Sequence, residues 1–175
     1  DPFINQQCSL DAVKAYDAWG LWDIENGELP GSANVLLASI DTGVQWDHPD
    51  LVDNIWQNLG EDADGDGRTI EFIDGEWVLD PGDINNNDDD GNTYTDDLIG
   101  WDPSGYSGAD DNDPSPPDGA TPENWSHGTH VAGTLAATTD NGMGVASAAF
   151  TSKILPVKCT RDNGDGEYVN DGYSG

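Results

Sequence analysis

The chain has 175 residues, enough for about one domain with a hydrophobic core. Its 35 acidic and 5 basic residues give a formal net charge of −30, which disfavours nucleic acid and anionic membrane surfaces as partners because both are negatively charged. No apolar stretch approaches the roughly 18 residues of a membrane span, and 7 Trp and 5 Tyr argue against overall disorder.

The first predicted element is an amphipathic helix over residues 9–19, "SLDAVKAYDAW". Ser9 is its predicted N-cap, and helical spacing puts four apolar side chains on one face: Ala12, Val13, Tyr16 and Trp19. Cys8 and Cys159 are the only cysteines, and they are compatible with one disulfide or with two free thiols.

An apolar run over residues 35–40, "VLLASI", predicts a strand that is buried on both faces of a parallel sheet. Asp41 follows it directly. Functional groups of open α/β sheets lie at the carboxyl ends of strands, and a carboxylate there can accept the Nδ1–H of an imidazole and fix its tautomer. An Asp at a strand end more often caps a turn, so Asp41 alone does not define a catalytic site.

A strongly acidic segment extends over about residues 58–120. Of the 35 acidic residues, 19 lie between Glu61 and Asp118, where Arg68 is the only basic residue. Within it, "TIEFIDGEWVL" predicts a small hairpin with Asp74 and Gly75 at the turn. Nothing in the chain neutralises this charge density, whereas divalent cations would.

Two stretches of this segment share a spacing, "DADGDGRTIE" (62–71) and "DDDGNTYTDD" (88–97). Alternate oxygen-bearing residues around a tight turn supply the roughly six to eight hard oxygens that calcium prefers, although these are not EF-hands. The ligands predicted for the first loop are Asp62, Asp64, Asp66, the Arg68 carbonyl and Glu71. Those predicted for the second are Asp88, Asp90, Asn92, the Tyr94 carbonyl and Asp97. A solvated acidic loop without metal is the alternative for each.

Residues 128–137, "GTHVAGTLAA", predict a helix that is opened by Ser126 or His127, and "KILPVKC" (153–159) predicts a second short buried strand. Strand, helix and strand in this order favour an α/β fold with an open parallel sheet. The chain stops at "GYSG" without a closing element, so we expect the sheet to be incomplete within it.

The stretches "SIDTGVQWDHPDL" and "HGTHVAGTLAATTDNGMGVAS" resemble the Asp and His blocks of the subtilisin-like serine peptidases, or subtilases. The resemblance implies a subtilisin-like parallel sheet with helices on both faces, in which Asp41 orients His127 and His127 is the general base. His130 matches a second His of the family, which is structural. The competing H-x-x-H metal site lacks the Glu and the i, i+4 spacing of a zincin helix.

One block of that family has no counterpart in this sequence. No "GTSMA"-like nucleophile stretch occurs in the 175 residues, and the family's oxyanion Asn also follows the His block. We therefore expect residues 1–175 to be the N-terminal part of one catalytic domain, inactive alone, from a secreted, calcium-dependent endopeptidase that hydrolyses peptides or proteins. The missing C-terminal part would supply the Ser. A non-catalytic calcium-binding subtilase scaffold and a calcium-dependent adhesive repeat are the alternatives.

The resemblance implies further sites. "TRDNGDGEY" resembles the edge strand that pairs with substrate, so Gly164, Gly166 and Tyr168 would line subsites, although a Gly-rich turn explains them equally well. One calcium ion of the family matches a set of positions here: Asp1, Asp50, Thr138, Asn141, Met143 and Val145. A weaker candidate from the residues alone combines Asp102, Asp111 and Asp113, where a Pro-rich surface loop is the alternative. In total, two to four calcium ions are expected.

Overall fold

A computed structural model describes residues 1–104, 109–117 and 119–160 of the chain. Its helices and strands are α1 (Cys8–Ala12), α2 (Ala15–Trp19), β1 (Leu36–Asp41), β2 (Ile70–Ile73), β3 (Glu76–Leu79), α3 (Pro122–Ala136) and β4 (Lys153–Lys158). Short 3-10 turns lie at Ile4–Gln6, Ile24–Asn26 and Val52–Asn54. Among the described residues, no helix has both the length and the apolar character that a membrane crossing needs.

A parallel sheet is the centre of the fold, as the sequence predicts. Strands β1 and β4 pair in parallel from Leu36 opposite Lys153 to Asp41 opposite Lys158. On the other side of β4, single parallel bridges from Ile55 and Trp101 continue the sheet. Helix α3 connects the two strands in sequence and packs against both of them.

The predicted burial of β1 on both faces is wrong for the described part of the chain. Side chains alternate along a strand, so Leu36 and Ile40 lie on one face of β1 and Ser39 lies on the other. Ser39 is buried, whereas Leu36 is 43% exposed and Ile40 is 54% exposed. Of the helices in the described residues, only α3 packs substantially against the sheet, so the predicted second helical layer is not found there. The open face of β1 follows from that missing cover.

The N-terminal helix is divided in two, contrary to the single helix predicted for residues 9–19. Lys14 adopts a left-handed backbone conformation, with φ of 63°, and thereby separates α1 from α2. The helix also starts one residue before the predicted cap Ser9, and the predicted apolar face is turned, since Val13 is 67% exposed. A small satellite core forms instead from Leu10, Ala15, Trp19, Ala146 and Phe150.

The acidic segment is anchored to the main core by its hairpin. Asp74 and Gly75 both have positive φ, 54° and 97°, and form the two-residue turn predicted between β2 and β3. Ile70 is buried in the main core, and Trp77 and Leu79 pack against it. Few residues of this segment are apolar, but these hold it to the sheet and to α3.

Helix α3 begins at Pro122, several residues before the predicted start at Ser126 or His127. Proline suits the first turn of a helix, because the missing N–H has no partner there in any case. His127 therefore lies in the second turn of α3 and does not open it.

Candidate active site

Asp41 and His127 meet at the carboxyl end of β1, although they are 86 residues apart in sequence. The Asp41 Oδ1 atom lies 2.6 Å from His127 Nδ1. Oδ1 also accepts the backbone N–H of Thr42 at 2.7 Å, which fixes the carboxylate. The Asp41 side chain is 13% exposed and that of His127 is 64% exposed, so an anchored acid holds an accessible imidazole.

Two glycines allow this meeting of strand and helix. A Cβ atom on Gly128 would lie 2.2 Å from the carbonyl oxygen of Gly43, far inside van der Waals contact. Gly43 itself has φ of 103°, a conformation that favours glycine. The Gly128 N–H donates to Thr42 Oγ1 at 3.0 Å, which fastens α3 to the turn after β1. The "DTG" and "HG" stretches thus form one contact, and the side chains of Asp41 and His127 lie on either side of it.

The end of β4 supports the same corner. The backbone N–H of Cys159 donates to the carbonyl oxygen of Asp41 at 2.8 Å. One residue earlier, Lys158 Nζ lies 2.9 Å from Asp102 Oδ2, in a salt bridge whose side chains are 2% and 1% exposed. Partial burial, with the charges of Asp41 and Asp102, raises the pKa of the Cys159 thiol. Cys8 and Cys159 are both free in this structure.

The two acidic loops have the same internal hydrogen bonds. Asp62 and Asp88, at the first position of each loop, accept the backbone N–H groups three, four and five residues ahead. At the third position, Asp64 and Asp90 accept the N–H two residues ahead. The repeat read in the sequence is therefore also a repeat of backbone geometry.

Acidic side chains from outside the loops join these groups, and the sequence reasoning missed them. Oxygens of Asp62, Asp64 and Asp66 lie within 4.8 Å of one another, but Glu71 lies with Asp66 and Asp80 instead. Asp64 also forms a group with Asp80 and Asp83, and Glu61 forms one with Asp88 and Asp90. Glu61 and Asp83 stand outside the predicted spacing, so the pattern gave no signal for them. No group of three or more potential metal ligands in the described residues contains His127 or His130.

Charge is poorly balanced in this segment. Arg68 pairs with Asp66 at 2.8 Å. Burial raises the pKa of three carboxyl groups, and neighbouring carboxylates add to the shift of each: Glu61, Asp83 and Asp97. The environment therefore disfavours the charged form of each of these three carboxyl groups, and a nearby divalent cation would offset that effect.

A third candidate site lies between the N-terminus and the loop after α3. The Asp1 carboxylate accepts the N–H groups of Asp140 and Asn141. The Asp50 carboxylate accepts the Asn141 side-chain amide at 2.9 Å and the Val145 N–H at 2.9 Å. Both acids therefore bind the loop that contains the remaining predicted ligands, Thr138 and Met143.

Two groups of predicted residues remain, the acids around Asp102 and the substrate residues. Asp102 forms a backbone bridge with Asp111, but its carboxylate is occupied by Lys158, and Asp113 accepts only the Ser115 N–H among the contacts described. The predicted substrate residues Gly164, Gly166 and Tyr168 lie outside the described residues.

Comparison with known proteins gives a consistent result. A family model described as the Subtilase family matches residues 32–174. The extracellular basic protease of Dichelobacter nodosus is 33% identical over 130 residues, which cover 71% of this chain and 17% of that protein. The thermophilic serine proteinase of Bacillus sp. (strain AK1) is 30% identical over 148 residues, covering 83% of the chain and 22% of that protein. Halolysin of Haloferax mediterranei is 28% identical over 166 residues, covering 95% and 21%. The chain thus spans about a fifth of the length of these relatives.

Proposed function

The chain belongs to the subtilase family, and we propose that it is the Asp- and His-bearing N-terminal part of the catalytic domain of a serine endopeptidase. The observation that carries the proposal is the contact of 2.6 Å between Asp41 Oδ1 and His127 Nδ1. A buried or anchored carboxylate on Nδ1 is the arrangement that prepares an imidazole for general-base chemistry.

The proposed chemistry follows from that contact. With Nδ1–H donated to Asp41, the lone pair of His127 Nε2 is left to accept the proton of a serine hydroxyl as this attacks a peptide carbonyl. Asp41 then stabilises the imidazolium, which returns the proton to the leaving amine. Water then attacks the acyl-enzyme while His127 Nε2 accepts its proton, and the imidazolium gives that proton to the departing serine oxygen. The serine and the oxyanion-stabilising groups would come from polypeptide outside these 175 residues.

Peptides or proteins are the proposed substrates, and the proposed location is extracellular. The exposed side chain of His127 supports access by a large substrate. An extended peptide would add as a strand beside the stretch that contains Gly164, Gly166 and Tyr168. One relative is named as an extracellular protease, which supports secretion of this protein too.

We also propose that calcium stabilises the domain, at loops 62–71 and 88–97 and at the site of Asp1 and Asp50. The matching hydrogen bonds of the two loops and their grouped carboxylates fit a hard cation that binds oxygen. At a calcium concentration 100 times the dissociation constant, each site stabilises the folded state by about 2.7 kcal/mol. Asp102 is not included, because Lys158 already supplies it with a cationic partner.

The catalytic proposal is tested on the complete protein with a serine-directed fluorophosphonate probe and a peptide substrate in calcium. We expect the label on a serine outside residues 1–175. Asp41→Asn should lower kcat by about 10⁴-fold, since the wrong imidazole tautomer is then held. The matched control is Asp47→Asn, which makes the same change at an exposed acid six residues away. His127→Ala should abolish labelling.

The alternative is a non-catalytic calcium-binding scaffold that keeps the subtilase framework without a nucleophile. Absence of any label, together with equal peptide hydrolysis by wild type and His127→Ala, would establish that alternative and reject the peptidase.

A further inference from the structure

We infer that Asp64, Asp80 and Asp83 hold a calcium ion of their own, beside the ion proposed for loop 62–71. The inference rests on the proposed calcium binding and adds a site that the loop spacing does not contain. Oxygens of these three carboxylates lie within 4.8 Å of one another, close enough for one ion to contact all three.

Two of the three ligands are buried acids, each with one carboxylate oxygen that accepts no hydrogen bond from the described part of the chain. Asp80 is 2% exposed and Asp83 is 0% exposed. Asp80 Oδ1 accepts the Gly82 N–H, and Asp83 Oδ1 accepts the N–H groups of Ala63 and Asp64. The Oδ2 atom of each has no hydrogen-bond partner among the residues that the structure describes. A buried carboxylate oxygen without a partner is costly, and a cation in the group would satisfy both oxygens.

The second loop provides an internal comparison. Glu61 stands to loop 88–97 as Asp83 stands to loop 62–71, because each accepts the N–H groups at the second and third loop positions. The other oxygen of Glu61, however, accepts the Asp96 N–H at 3.1 Å. The buried acid beside loop 88–97 is therefore satisfied by protein alone, and that beside loop 62–71 is not.

The charge around loop 62–71 also favours two ions. The overlapping groups contain six carboxylates: Asp62, Asp64, Asp66, Glu71, Asp80 and Asp83. Arg68 is the only basic residue in the segment. A single calcium ion together with Arg68 would leave three negative charges in excess, whereas a second ion would leave one.

Gly82 keeps the space between these acids open. A Cβ atom at this position would lie 2.4 Å from Asp64 Oδ2 and 3.1 Å from Asp80 Oδ1. The loop carboxylate of Asp64 thus extends toward the segment after the hairpin, where Asp80 and Asp83 lie. Asp64 and Asp80 would each contact both ions.

Calcium stoichiometry of the complete protein, counted by native mass spectrometry at saturating calcium, tests the inference. Asp83→Asn keeps the oxygen that accepts the two N–H groups and should bind one ion fewer than wild type. Glu71→Gln should remove a different single ion, and the double variant should lose two. Asp74→Asn, at the exposed hairpin turn, is the matched control and should keep every ion.

Retention of the ion of loop 88–97 and an unchanged circular dichroism spectrum show that a variant is folded. If Asp83→Asn binds as many ions as wild type, the inference is wrong. It is equally overturned if Asp83→Asn, Glu71→Gln and the double variant all lose the same single ion, because loop 62–71 then holds one shared site. If the wild type itself binds no calcium, the calcium part of the proposed function fails, and the inference fails with it.

Discussion

The buried salt bridge between Lys158 and Asp102 gives the sharpest stability prediction. Lys158 lies opposite Asp41 in the pairing of β1 with β4, and its side chain is 2% exposed. Replacement by Met keeps much of the length and the apolar stem of Lys158 but removes the charge. The Asp102 carboxylate then stays in the interior without its lysine.

The magnitude follows from which contacts remain. Breaking a buried ion pair from one side costs about 3–5 kcal/mol, because a charge is left in a low-dielectric interior. Ser104 continues to donate its N–H at 2.9 Å and its hydroxyl at 2.6 Å to Asp102 Oδ1. We therefore expect Lys158→Met to lower the free energy of unfolding by about 3 kcal/mol, the lower end of that range.

Urea unfolding of the complete protein at fixed calcium measures this change. Lys158→Met combined with Asp102→Leu removes both charges, and it should restore most of the lost free energy, since apolar replacements of buried pairs are often neutral. The reasoning is refuted if the single variant lies within about 0.5 kcal/mol of wild type. It is also refuted if the double variant is as unstable as the single one.

Two further predictions concern the helix contact and pH. Gly128→Ala should reduce peptide hydrolysis by about 10²-fold, because the new Cβ must push α3 away from Gly43 and displace His127. Gly133→Ala on the same helix is the control and should leave hydrolysis unchanged, since its Cβ would be 3.9 Å from the nearest atom. Equal losses in both variants would contradict the argument. In calcium-free protein, acidification from pH 7 toward pH 5 should raise the free energy of unfolding of the acidic segment, since a carboxyl group whose folded pKa is raised regains stability as it is protonated. With calcium bound, the same acidification should lower the free energy of unfolding, because protons compete with the ion for the carboxylates. Urea unfolding at pH 7 and at pH 5, with and without calcium, measures both changes. A decrease in the free energy of unfolding without calcium would count against the buried-acid explanation.

Local signals in the sequence predicted much of this fold. The Asp-Gly turn fixed the hairpin, and the apolar run of residues 153–159 gave β4 almost to the residue. The motif resemblance brought Asp41 and His127 together across 86 residues, which spacing alone would not do. Each of these features depends on residues adjacent in sequence or on a long motif.

The wrong predictions arise where tertiary packing decides. No Gly or Pro marks the break at Lys14, so the sequence carries no local signal for it. The two short helices instead turn so that Leu10 and Trp19 are buried in one cluster with Phe150. The start of α3 had a signal, the Thr121-Pro122 pair, that the His motif obscured. Asp80 and Asp83 belong to the first loop only in three dimensions, since the hairpin returns the chain to it.

The proposed calcium sites and the Asp41–His127 pair are connected through the hydrophobic core and not through direct contact. Within the described residues, none of the carboxylate groups near the loops includes Asp41 or His127. The acidic segment, however, places Ile70, Leu98 and Ile99 in the same buried cluster as Ala132 and Ala136 of α3. If calcium binds as proposed, its release would therefore loosen the support of the helix that contains His127. Since the imidazole–carboxylate contact itself needs no ion, calcium removal should reduce the fraction of folded enzyme and leave the kcat of the folded fraction unchanged.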